Sequence, residues 1–253
     1  MTATPAKHGF GIDIGGSGIK GAPADLASGE FTAERVRIDT PKESTPENVV
    51  DVVLEVLAAF DWQQPFGCTF PGVVRHGVIS SAANVDDSWI GVDLAKVLGE
   101  RTGQRVTVVN DADAAGVAED RYGAAADVQG VVIVTTLGTG IGSAVLQDGV
   151  LLPNTEFGHL FLKDGHEAEK RAAPSVREEK DLSWEHWAER LQDFYSHLEA
   201  IFSPDLFVVG GGVSKKADKF LPLLDLKTPI VPAALHNDGG IVGAALLAAE
   251  RVG

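Results

Sequence analysis

Two short glycine-rich turns, each preceded by an apolar run, carry the clearest chemical signal in the sequence. The first is Gly15–Gly18, after the run Gly9–Ile14, and the second is Gly138–Gly142, after Val131–Leu137. Glycine has no Cβ atom to keep a phosphate away from backbone N–H groups, so both turns can bind phosphate. Their repetition at matching places predicts a duplicated fold that holds a phosphate chain, with phosphoryl transfer as its chemistry.

The spacing of the glycines separates these turns from two common nucleotide-binding motifs. Neither turn has the G-x-G-x-x-G spacing of a dinucleotide fingerprint, and a hairpin pattern follows Gly15–Gly18 where that fold has a helix. Neither turn is followed by the Gly-Lys-Ser/Thr of a Walker A loop. The turns therefore predict phosphate binding outside both of these motif classes.

A third glycine run, Gly210–Gly212, follows an apolar strand pattern and precedes Lys215, Lys216 and Lys219. Bare backbone at the start of a helix suits a phosphate or the flat ring of a nucleotide. The alternative is a tight strand–helix connection, although three successive glycines exceed what that connection requires. The three lysines join further basic residues in a candidate anion-binding track: Lys163, Lys170, Arg171, Arg177 and Lys180.

The segment Lys163–Lys180, which supplies part of that track, contains five basic and five acidic residues without clear periodicity. We interpret this segment as a solvated surface loop, because a charge run of mixed sign is typical of an exposed segment.

Acidic residues lie at the ends of predicted strands. Asp13 directly precedes the first turn, so it can hold Mg²⁺ through water while Lys20 neutralises phosphate charge. Asn110 and Asp111 follow the buried run Val106–Val109 and open a helix. Ligands of α/β sheets collect beyond the carboxyl ends of strands, so Asp111 is a candidate base for a substrate hydroxyl. The structural alternatives are a turn cap for Asp13 and a helix cap for Asn110 or Asp111.

Another set of polar residues suits a polyol. Glu156 and His159 lie three residues apart on a predicted turn, where a carboxylate and an imidazole can bind adjacent hydroxyls. Asn84 and Asp87 lie on a loop and are either hydroxyl ligands or turn formers. A lone histidine more often makes a structural hydrogen bond, and this alternative stays open for His159.

Composition limits the partners of the chain. Its 253 residues are 44% hydrophobic and 23% charged, with a net charge of −15. Such a surface repels nucleic acid and anionic membranes, so neither is an expected partner, and a polyphosphorylated substrate needs locally basic ground or a metal ion. The single cysteine, Cys68, excludes an intrachain disulfide. No signal-like or membrane-spanning apolar run is present, and we expect a cytoplasmic protein.

Helices and strands alternate along the chain in an α/β pattern. A long amphipathic helix is predicted over Trp184–Phe202, capped by Ser183. A last helix, about Gly239–Ala249, is rich in alanine and glycine and therefore suited to close packing.

Five motifs, in the order in which they occur along the chain, together resemble the sugar kinases of the ROK family, within the hexokinase–actin–Hsp70 superfamily. The resemblance implies an α/β, two-lobed hexokinase/actin-like (ribonuclease H-like) duplicated fold with a central cleft. We place residues 1–111 with 241–253 in a smaller N-terminal lobe and residues 112–240 in a larger C-terminal lobe. The motifs are Asp13-Ile-Gly-Gly, Asn110-Asp111, Leu137-Gly-Thr-Gly, Glu156-x-Gly-His and Gly210-Gly-Gly.

The resemblance also implies a reaction, the phosphorylation of glucose at its 6-hydroxyl with Mg²⁺. It implies Asp111 as the base, with Asn110, Glu156 and His159 on the sugar, and we add Asn84 to these sugar ligands. The donor would lie on the glycine turns and the residues beside them. This predicted donor set is Asp13 (which would also hold Mg²⁺ through water), Gly15, Gly16, Ser17, Lys20, Thr136, Gly138, Thr139, Gly140, Gly211, Gly212 and Lys215.

The chain departs from many ROK members in one segment. Those members carry a cysteine-rich zinc loop after the Glu-x-Gly-His turn, whereas Lys163–Leu182 contains no cysteine. A structural zinc is therefore excluded, and the sugar-contacting glutamate that follows the loop in those members cannot be placed. The zinc-free form and the segment Phe202–Phe220 are similar to the actinobacterial branch of the family that uses inorganic polyphosphate, and often ATP, as donor.

Other functions remain open on the same fold. One is an ATP-dependent kinase for mannose, fructose or an N-acetylhexosamine. Another is a non-catalytic sugar-sensing regulator, but such regulators carry a DNA-binding helix-turn-helix, whereas about eight residues precede the first predicted strand here. The family resemblance also implies a homodimer.

Overall fold

The structure is a computed structural model that describes residues 7–82 and 86–250. Among the helices of the described residues, none combines the length and apolar character that crossing a membrane requires.

The chain divides into two compact units. The first contains Met1–Ala118 together with Asp238–Gly253, and the second contains Glu119–Asn237. The lobes predicted from the sequence have their boundaries after Asp111 and Gly240, whereas the boundaries of these units lie after Ala118 and Asn237.

The described residues form twelve strands and seven α-helices. The strands are β1 (His8–Ile14), β2 (Ile19–Asp25), β3 (Val36–Ile38), β4 (Phe66–Phe70), β5 (Val74–Arg75), β6 (Val78–Ile79), β7 (Val106–Asn110), β8 (Val131–Leu137), β9 (Ile141–Gln147), β10 (Val150–Leu152), β11 (Leu206–Gly210) and β12 (Ile230–Pro232). The helices are α1 (Pro46–Ala58), α2 (Leu94–Thr102), α3 (Asp111–Tyr122), α4 (Ala168–Ala172), α5 (Pro174–Glu179), α6 (Trp184–Phe202) and α7 (Gly239–Glu250). Short 3₁₀ helices lie at Asp87–Trp89, Phe157–His159, Gly212–Lys219 and Leu221–Leu223.

Each unit is built on a five-stranded sheet, and the two sheets have the same strand order. The order is β3-β2-β1-β4-β7 in the first unit and β10-β9-β8-β11-β12 in the second. In both sheets the central strand pairs antiparallel with the strand that follows it and parallel with its other neighbour. The central strands end at Ile14 and Leu137, directly before the two glycine turns. The predicted duplication is therefore confirmed.

The first unit buries its sheet between α1 and α7. Successive side chains of a strand point to opposite faces. Phe10 and Ile12 of β1 pack with Val53 of α1 in one buried cluster, whereas Gly11 faces α7 so closely that a Cβ atom there would lie 1.8 Å from the Ile241 carbonyl oxygen. The small residues predicted for the last helix thus allow α7 to contact the sheet backbone.

The second unit packs its long helix, α6, against its sheet. Ser183 caps this helix as predicted, accepting a hydrogen bond from a backbone N–H group at 3.2 Å. Trp187 and Leu191 belong to the buried cluster beneath the sheet. Tyr195 and Thr135 join their hydroxyl groups at 2.7 Å inside that core, and burial raises the pKa of the tyrosine well above its usual range.

The surface-loop prediction for Lys163–Lys180 is wrong. This segment contains α4 and α5, which are five and six residues long. Ala168 and Ala172 are fully buried, and Trp187 donates its indole N–H to the Ala172 carbonyl at 2.9 Å. Helices of this length have too few turns to show a 3.6-residue periodicity, which is why the sequence pattern did not reveal them.

Substituting Gly67 on β4 should strongly destabilise the first unit. A Cβ atom at Gly67 would lie 1.9 Å from the Ala244 carbonyl oxygen of α7, so Gly67→Ala must separate helix and sheet, at a cost of about 1–3 kcal/mol or more. Gly16→Ala is the matched control because a Cβ atom there meets nothing within 4 Å. Thermal and denaturant unfolding measure both variants, and equal stability of the two would contradict this packing.

Candidate active site

Side chains from outside the first glycine turn, Gly15–Gly18, hold its backbone in place through hydrogen bonds. The Thr40 hydroxyl donates to the Gly15 carbonyl at 2.5 Å. Arg37 of β3 donates from its guanidinium group to the Ser17 carbonyl at 2.8 Å. Sequence reasoning missed Arg37, because the hairpin pattern after Gly15–Gly18 predicts a return strand over Phe31–Ile38 but not which of its side chains contacts this turn. The exposed tip, which includes Ser17, stays accessible to a ligand.

Asp13 lies directly before this turn and is fixed by two neighbours. Its Oδ1 accepts a hydrogen bond from the Thr69 hydroxyl at 2.8 Å, and its Oδ2 lies 3.4 Å from the Lys20 ammonium nitrogen. A Cβ atom at Gly240 would lie 3.4 Å from Oδ1, so the first turn of α7 is adjacent. One partly exposed carboxylate fits a Mg²⁺ ion that keeps most of its waters, while Lys20 and the α7 N-terminus favour phosphate.

Each of the three glycine turns contains a glycine that the fold itself does not require. A Cβ atom at Gly16, Gly138 or Gly212 would meet no atom within 4 Å, and none of the three has a positive φ angle. In contrast, Gly211 has a φ of +81° and would place a Cβ atom 2.2 Å from the Leu137 carbonyl oxygen. A glycine that neither packing nor a positive φ angle requires leaves its backbone N–H group uncovered for an approaching ligand. These three glycines therefore support the predicted phosphate contacts.

The second and third glycine turns lie side by side in the second unit. Gly211 contacts the end of β8 at Leu137, as its close approach indicates. Ser175, at the start of α5, donates its hydroxyl to the Thr139 carbonyl at 2.6 Å and its N–H to the Gly138 carbonyl at 3.4 Å. The segment Lys163–Lys180, which was predicted to be a surface loop, is therefore hydrogen-bonded to the second turn.

A pocket of about 260 Å³ opens where these turns meet α5 and α6. Of the predicted donor residues, Gly138, Thr139 and Gly212 line it, and the lysine that lines it is Lys216. Lys215, the predicted contact, is exposed beside it. The other lining residues are Leu137, Pro174, Ser175, Arg177, Glu178, Trp184 and Val213.

The remaining predicted donor residues in this unit, Thr136, Gly140 and Gly211, belong to β8 and to the second and third turns without lining that pocket. A larger hollow of about 370 Å³ lies in the first unit beside Phe60 and Trp62, and no predicted site residue lines it.

Asn110 and Asp111 lie at the junction of β7 and α3. The Asn110 Oδ1 accepts from the N–H groups of Ala112 (2.8 Å) and Asp113 (3.0 Å), and its amide donates to the Gly72 carbonyl at 3.1 Å. The structural alternative therefore holds for Asn110, which caps α3 and keeps one amide N–H beyond these bonds. Asp111 is half-buried, and its Oδ1 accepts from the Ala112 N–H at 2.9 Å.

The turn that carries Glu156 and His159 is anchored to β9 through Ser143. The buried Ser143 hydroxyl donates to the Thr155 carbonyl at 2.7 Å and accepts from the Phe157 N–H at 3.0 Å. The Thr155 hydroxyl in turn donates a hydrogen bond to the Ser143 carbonyl at 3.0 Å. These reciprocal bonds fix the backbone on both sides of Glu156, so Ser143 and Thr155 position that carboxylate.

Glu169 is a second residue that sequence reasoning missed. It lies on α4, and its Oε1 is 3.9 Å from the His159 Nδ1. A Cβ atom at Gly140 would lie 2.7 Å from its Oε2, and one at Gly158 would lie 3.3 Å away. The Glu169 carboxylate thus lies against both the second glycine turn and the Glu156 turn. No spacing pattern shows this contact, because it depends on how α4 folds back.

The carboxylates near His159 influence one another. Burial raises the pKa of the Glu156 carboxyl above its ordinary value, His159 opposes the rise, and Glu169 adds to it. Ligand atoms of His159, Glu167 and Glu169 lie within 4.8 Å of one another, and Glu167 also pairs with Lys170 at 2.5 Å. Chemically, this set suits either adjacent hydroxyls or a cation.

Asn84 lies outside the described residues. Asp87, from the same predicted loop, is exposed and begins a 3₁₀ helix.

The family model described as the ROK family matches residues 9–174 of the chain. The chain belongs to the ROK family. A polyphosphate glucokinase from Mycobacterium tuberculosis is 53% identical over 245 residues, which are 96% of this chain and 92% of that protein.

Solved structures agree with this assignment. The inorganic polyphosphate/ATP-glucomannokinase from Arthrobacter sp. strain KM is 52% identical, with a TM-score of 0.93 over 97% of this chain and 100% of that chain. A ROK family glucokinase from Streptomyces griseus, solved with glucose and AMPPNP, has a TM-score of 0.83 at 24% identity over 97% of this chain and 100% of that chain, which supports the fold alone. The predicted duplicated hexokinase/actin-like fold is confirmed.

Removing the partly buried charge of Glu156 should stabilise the protein in a pH-dependent way. At about pH 8 the carboxyl is ionised in both the folded and the unfolded chain, and folding must partly desolvate it. Because its folded pKa is raised, the contribution of Glu156 to stability declines as pH rises through its unfolded and then its folded pKa. Glu156→Gln should therefore raise Tm at about pH 8 by roughly one to a few degrees.

This gain should vanish at about pH 4 or below, where glutamate becomes neutral in both states. Calorimetric unfolding over that range measures the effect, with Glu179→Gln, at an exposed position, as the control that changes little. A gain that is the same at every pH would show that the partly buried charge of Glu156 is not its cause.

Proposed function

We propose that this ROK protein is a glucokinase that transfers a phosphoryl group from inorganic polyphosphate or ATP to the 6-hydroxyl of glucose. The observation that carries the proposal is the 53% identity, over 96% of the chain, to a polyphosphate glucokinase. The site geometry described above supplies groups of the kinds that such a reaction needs.

Donor phosphates would bind to bare main chain. Gly138 and Gly212 present backbone that no internal packing requires to be glycine, and both line one pocket. Fixed N–H groups aimed at phosphate oxygens stabilise the charge of the transferring group without reorganisation. Gly16 and Ser17 of the first turn, with Lys20 nearby, offer the same kind of contact to the transferring phosphate.

The proposed reaction includes Mg²⁺. Asp13 and its neighbours in the first turn would hold this ion as a hydrated cation. A bound Mg²⁺ supplies neutralisation of charge on donor oxygens. Lys20 shares that role, since it contacts the same carboxylate.

Sugar hydroxyls would be held by Glu156, His159 and Glu169. Their turn is anchored by Ser143, and Glu169 reaches it from α4, so three polar groups of the second unit are fixed close together. Glu169 then fills the place of the glutamate that many ROK kinases supply after their zinc loop. Asn110 contributes its remaining amide N–H, and Asn84 remains a predicted ligand outside the described residues.

Asp111 would take the proton from the 6-hydroxyl as that oxygen attacks phosphorus. It lies beyond the carboxyl end of β7, at the first residue of α3, which is where ligands of α/β sheets collect. Closing of the protein around the sugar would exclude water, which otherwise competes as acceptor.

Mannose is the second candidate acceptor, because the Arthrobacter relative is described as a glucomannokinase. Fructose, N-acetylhexosamines and a non-catalytic sensing role are weaker alternatives. A coupled assay of these sugars with polyphosphate and with ATP separates them. Failure of glucose to react with either donor would refute the proposal.

A cytoplasmic homodimer is also part of the proposal. Val150 and Leu152 are 72% and 58% exposed on β10, an edge strand of the second sheet, which supports a partner on that edge. Light scattering of the wild type and of Leu152→Glu tests this, and a monomeric wild type would contradict it.

Loss of the proposed base should slow turnover strongly without weakening glucose binding. We expect Asp111→Asn to lower kcat by about 10²–10⁴-fold, with the Kd for glucose changed by less than about threefold. Steady-state kinetics and calorimetry measure the two effects, and Asp127→Asn, at an exposed position, is the control. Near-normal turnover would remove Asp111 from this role.

Loss of the Glu169 carboxylate should weaken the binding of the sugar but not that of the donor. We expect Glu169→Gln to raise the KM for glucose by roughly tenfold, as for one charge-assisted hydrogen bond, while the KM for polyphosphate stays unchanged. Glu179→Gln is again the control. An unchanged glucose KM would show that α4 does not supply a sugar ligand.

A further inference from the structure

Five of the eight basic residues of the predicted anion-binding track fall into two groups in the structure. Lys170 pairs with Glu167, and Arg171 pairs with Asp164 at 2.6 Å, so these cations are already neutralised. A second group surrounds the indole of one tryptophan. We call it the Trp184 cluster, and its members are Arg177, Trp184, Lys216 and Lys219.

The Trp184 cluster concentrates positive charge around a single ring. The Arg177 guanidinium carbon lies 3.8 Å from the ring centroid of Trp184, and the ammonium nitrogens of Lys216 and Lys219 lie at 6.0 and 5.9 Å. Within residues 7–82 and 86–250, none of these three cations forms an ion pair. In a chain of net charge −15, unpaired cations held this close together indicate an anion as their partner.

The cluster also borders the donor pocket. Arg177, Trp184 and Lys216 line it together with Gly138 and Gly212, and the one acidic residue of its lining is Glu178, which is exposed. The buried Arg177 Nε has no hydrogen-bond partner among the described residues. The guanidinium is therefore held by its ring contact, and its N–H donors are not used up by the protein.

The ring of Trp184 is not available to stack a purine. Phe220 lies nearly parallel to it (14°) at 6.0 Å, and Trp187 meets it edge-on at 5.8 Å. Both of these residues are fully buried and so mark the core side of the indole. Arg177 occupies a face of the ring and lines the pocket, so an adenine could stack there only by displacing the guanidinium.

We propose that the Trp184 cluster binds the phosphates of a linear inorganic polyphosphate beyond the one transferred, and that Arg177 selects this donor against a nucleotide. The proposal rests on the proposed kinase function. A planar guanidinium pre-oriented by an aromatic ring matches two phosphate oxygens at once, and the lysines add point charges along the chain. A nucleotide has no phosphates beyond its γ-, β- and α-groups to fill these positions, and its base finds the indole covered.

Donor kinetics of cluster variants test this selection. With saturating glucose, kcat/KM is measured for polyphosphate of one defined length and for ATP in the wild type, Arg177→Ala, Arg177→Lys and Lys216→Ala. We expect Arg177→Ala to lower kcat/KM for polyphosphate by roughly 10- to 100-fold, with the value for ATP unchanged or higher. Arg177→Lys should recover only part of the loss, because ammonium cannot bind in a bidentate way.

Arg171→Ala is the matched control, since Arg171 pairs with Asp164 outside the cluster. It should leave both donors within about threefold of the wild type. Equal losses with polyphosphate and ATP in Arg177→Ala, or no loss with polyphosphate, would overturn the proposal. Unfolding curves for each variant identify any loss that comes from misfolding.

Calorimetric titration with polyphosphate alone keeps the test independent of catalysis. We expect the wild type to bind polyphosphate about 10- to 100-fold more tightly than Arg177→Ala does. A wild type that binds polyphosphate in this way but phosphorylates no sugar would refute the proposed function and leave the cluster supported. Equal binding by the two proteins would refute the cluster instead.

Discussion

A phosphate can bind to main-chain N–H groups only where no side chain covers them, and this steric constraint accounts for the glycines that the fold itself does not require. Gly11 and Gly67 are glycine because α7 touches the sheet there, and Gly211 because its φ angle and its contact with β8 require it. Gly16, Gly138 and Gly212 have no such internal cause. The difference separates the glycines that build the fold from those that leave backbone open to a donor.

Much of the architecture follows from sequence patterns of short range. The duplicated strand–turn–strand units, the capped helix α6 and the small-residue helix α7 are all predicted from spacing and capping signals. Arg177, Lys216 and Lys219 were predicted as part of one anion-binding track, but their assembly around Trp184 and the position of Glu169 lie beyond such reasoning. Glu169 reaches its neighbours through two helices of five and six residues, and helices this short have no readable periodicity. Arg37 was missed for a different reason: a hairpin pattern indicates a returning strand but not which of its side chains contacts the first turn, 20 positions away.

Local charge resolves the apparent conflict between an acidic protein and a polyanionic donor. The net charge of −15 describes the whole chain, whereas binding responds to groups within about a Debye length, ~8 Å at physiological salt. Around the Trp184 ring lie Arg177, Lys216 and Lys219, none of which forms an ion pair within the described residues, and Glu178 is the acidic residue of the adjoining pocket lining. These three cations are the locally basic ground that a polyanionic donor needs in an acidic chain.

The most direct measurement is a crystal structure of the protein with a short inorganic polyphosphate bound. We expect phosphate oxygens within hydrogen-bond distance, about 2.7–3.2 Å, of backbone N–H groups at Gly138 and Gly212, with the chain continuing toward Arg177. A polyphosphate bound elsewhere, with both glycine turns in contact with solvent only, would contradict the role of bare main chain on which the proposed function depends.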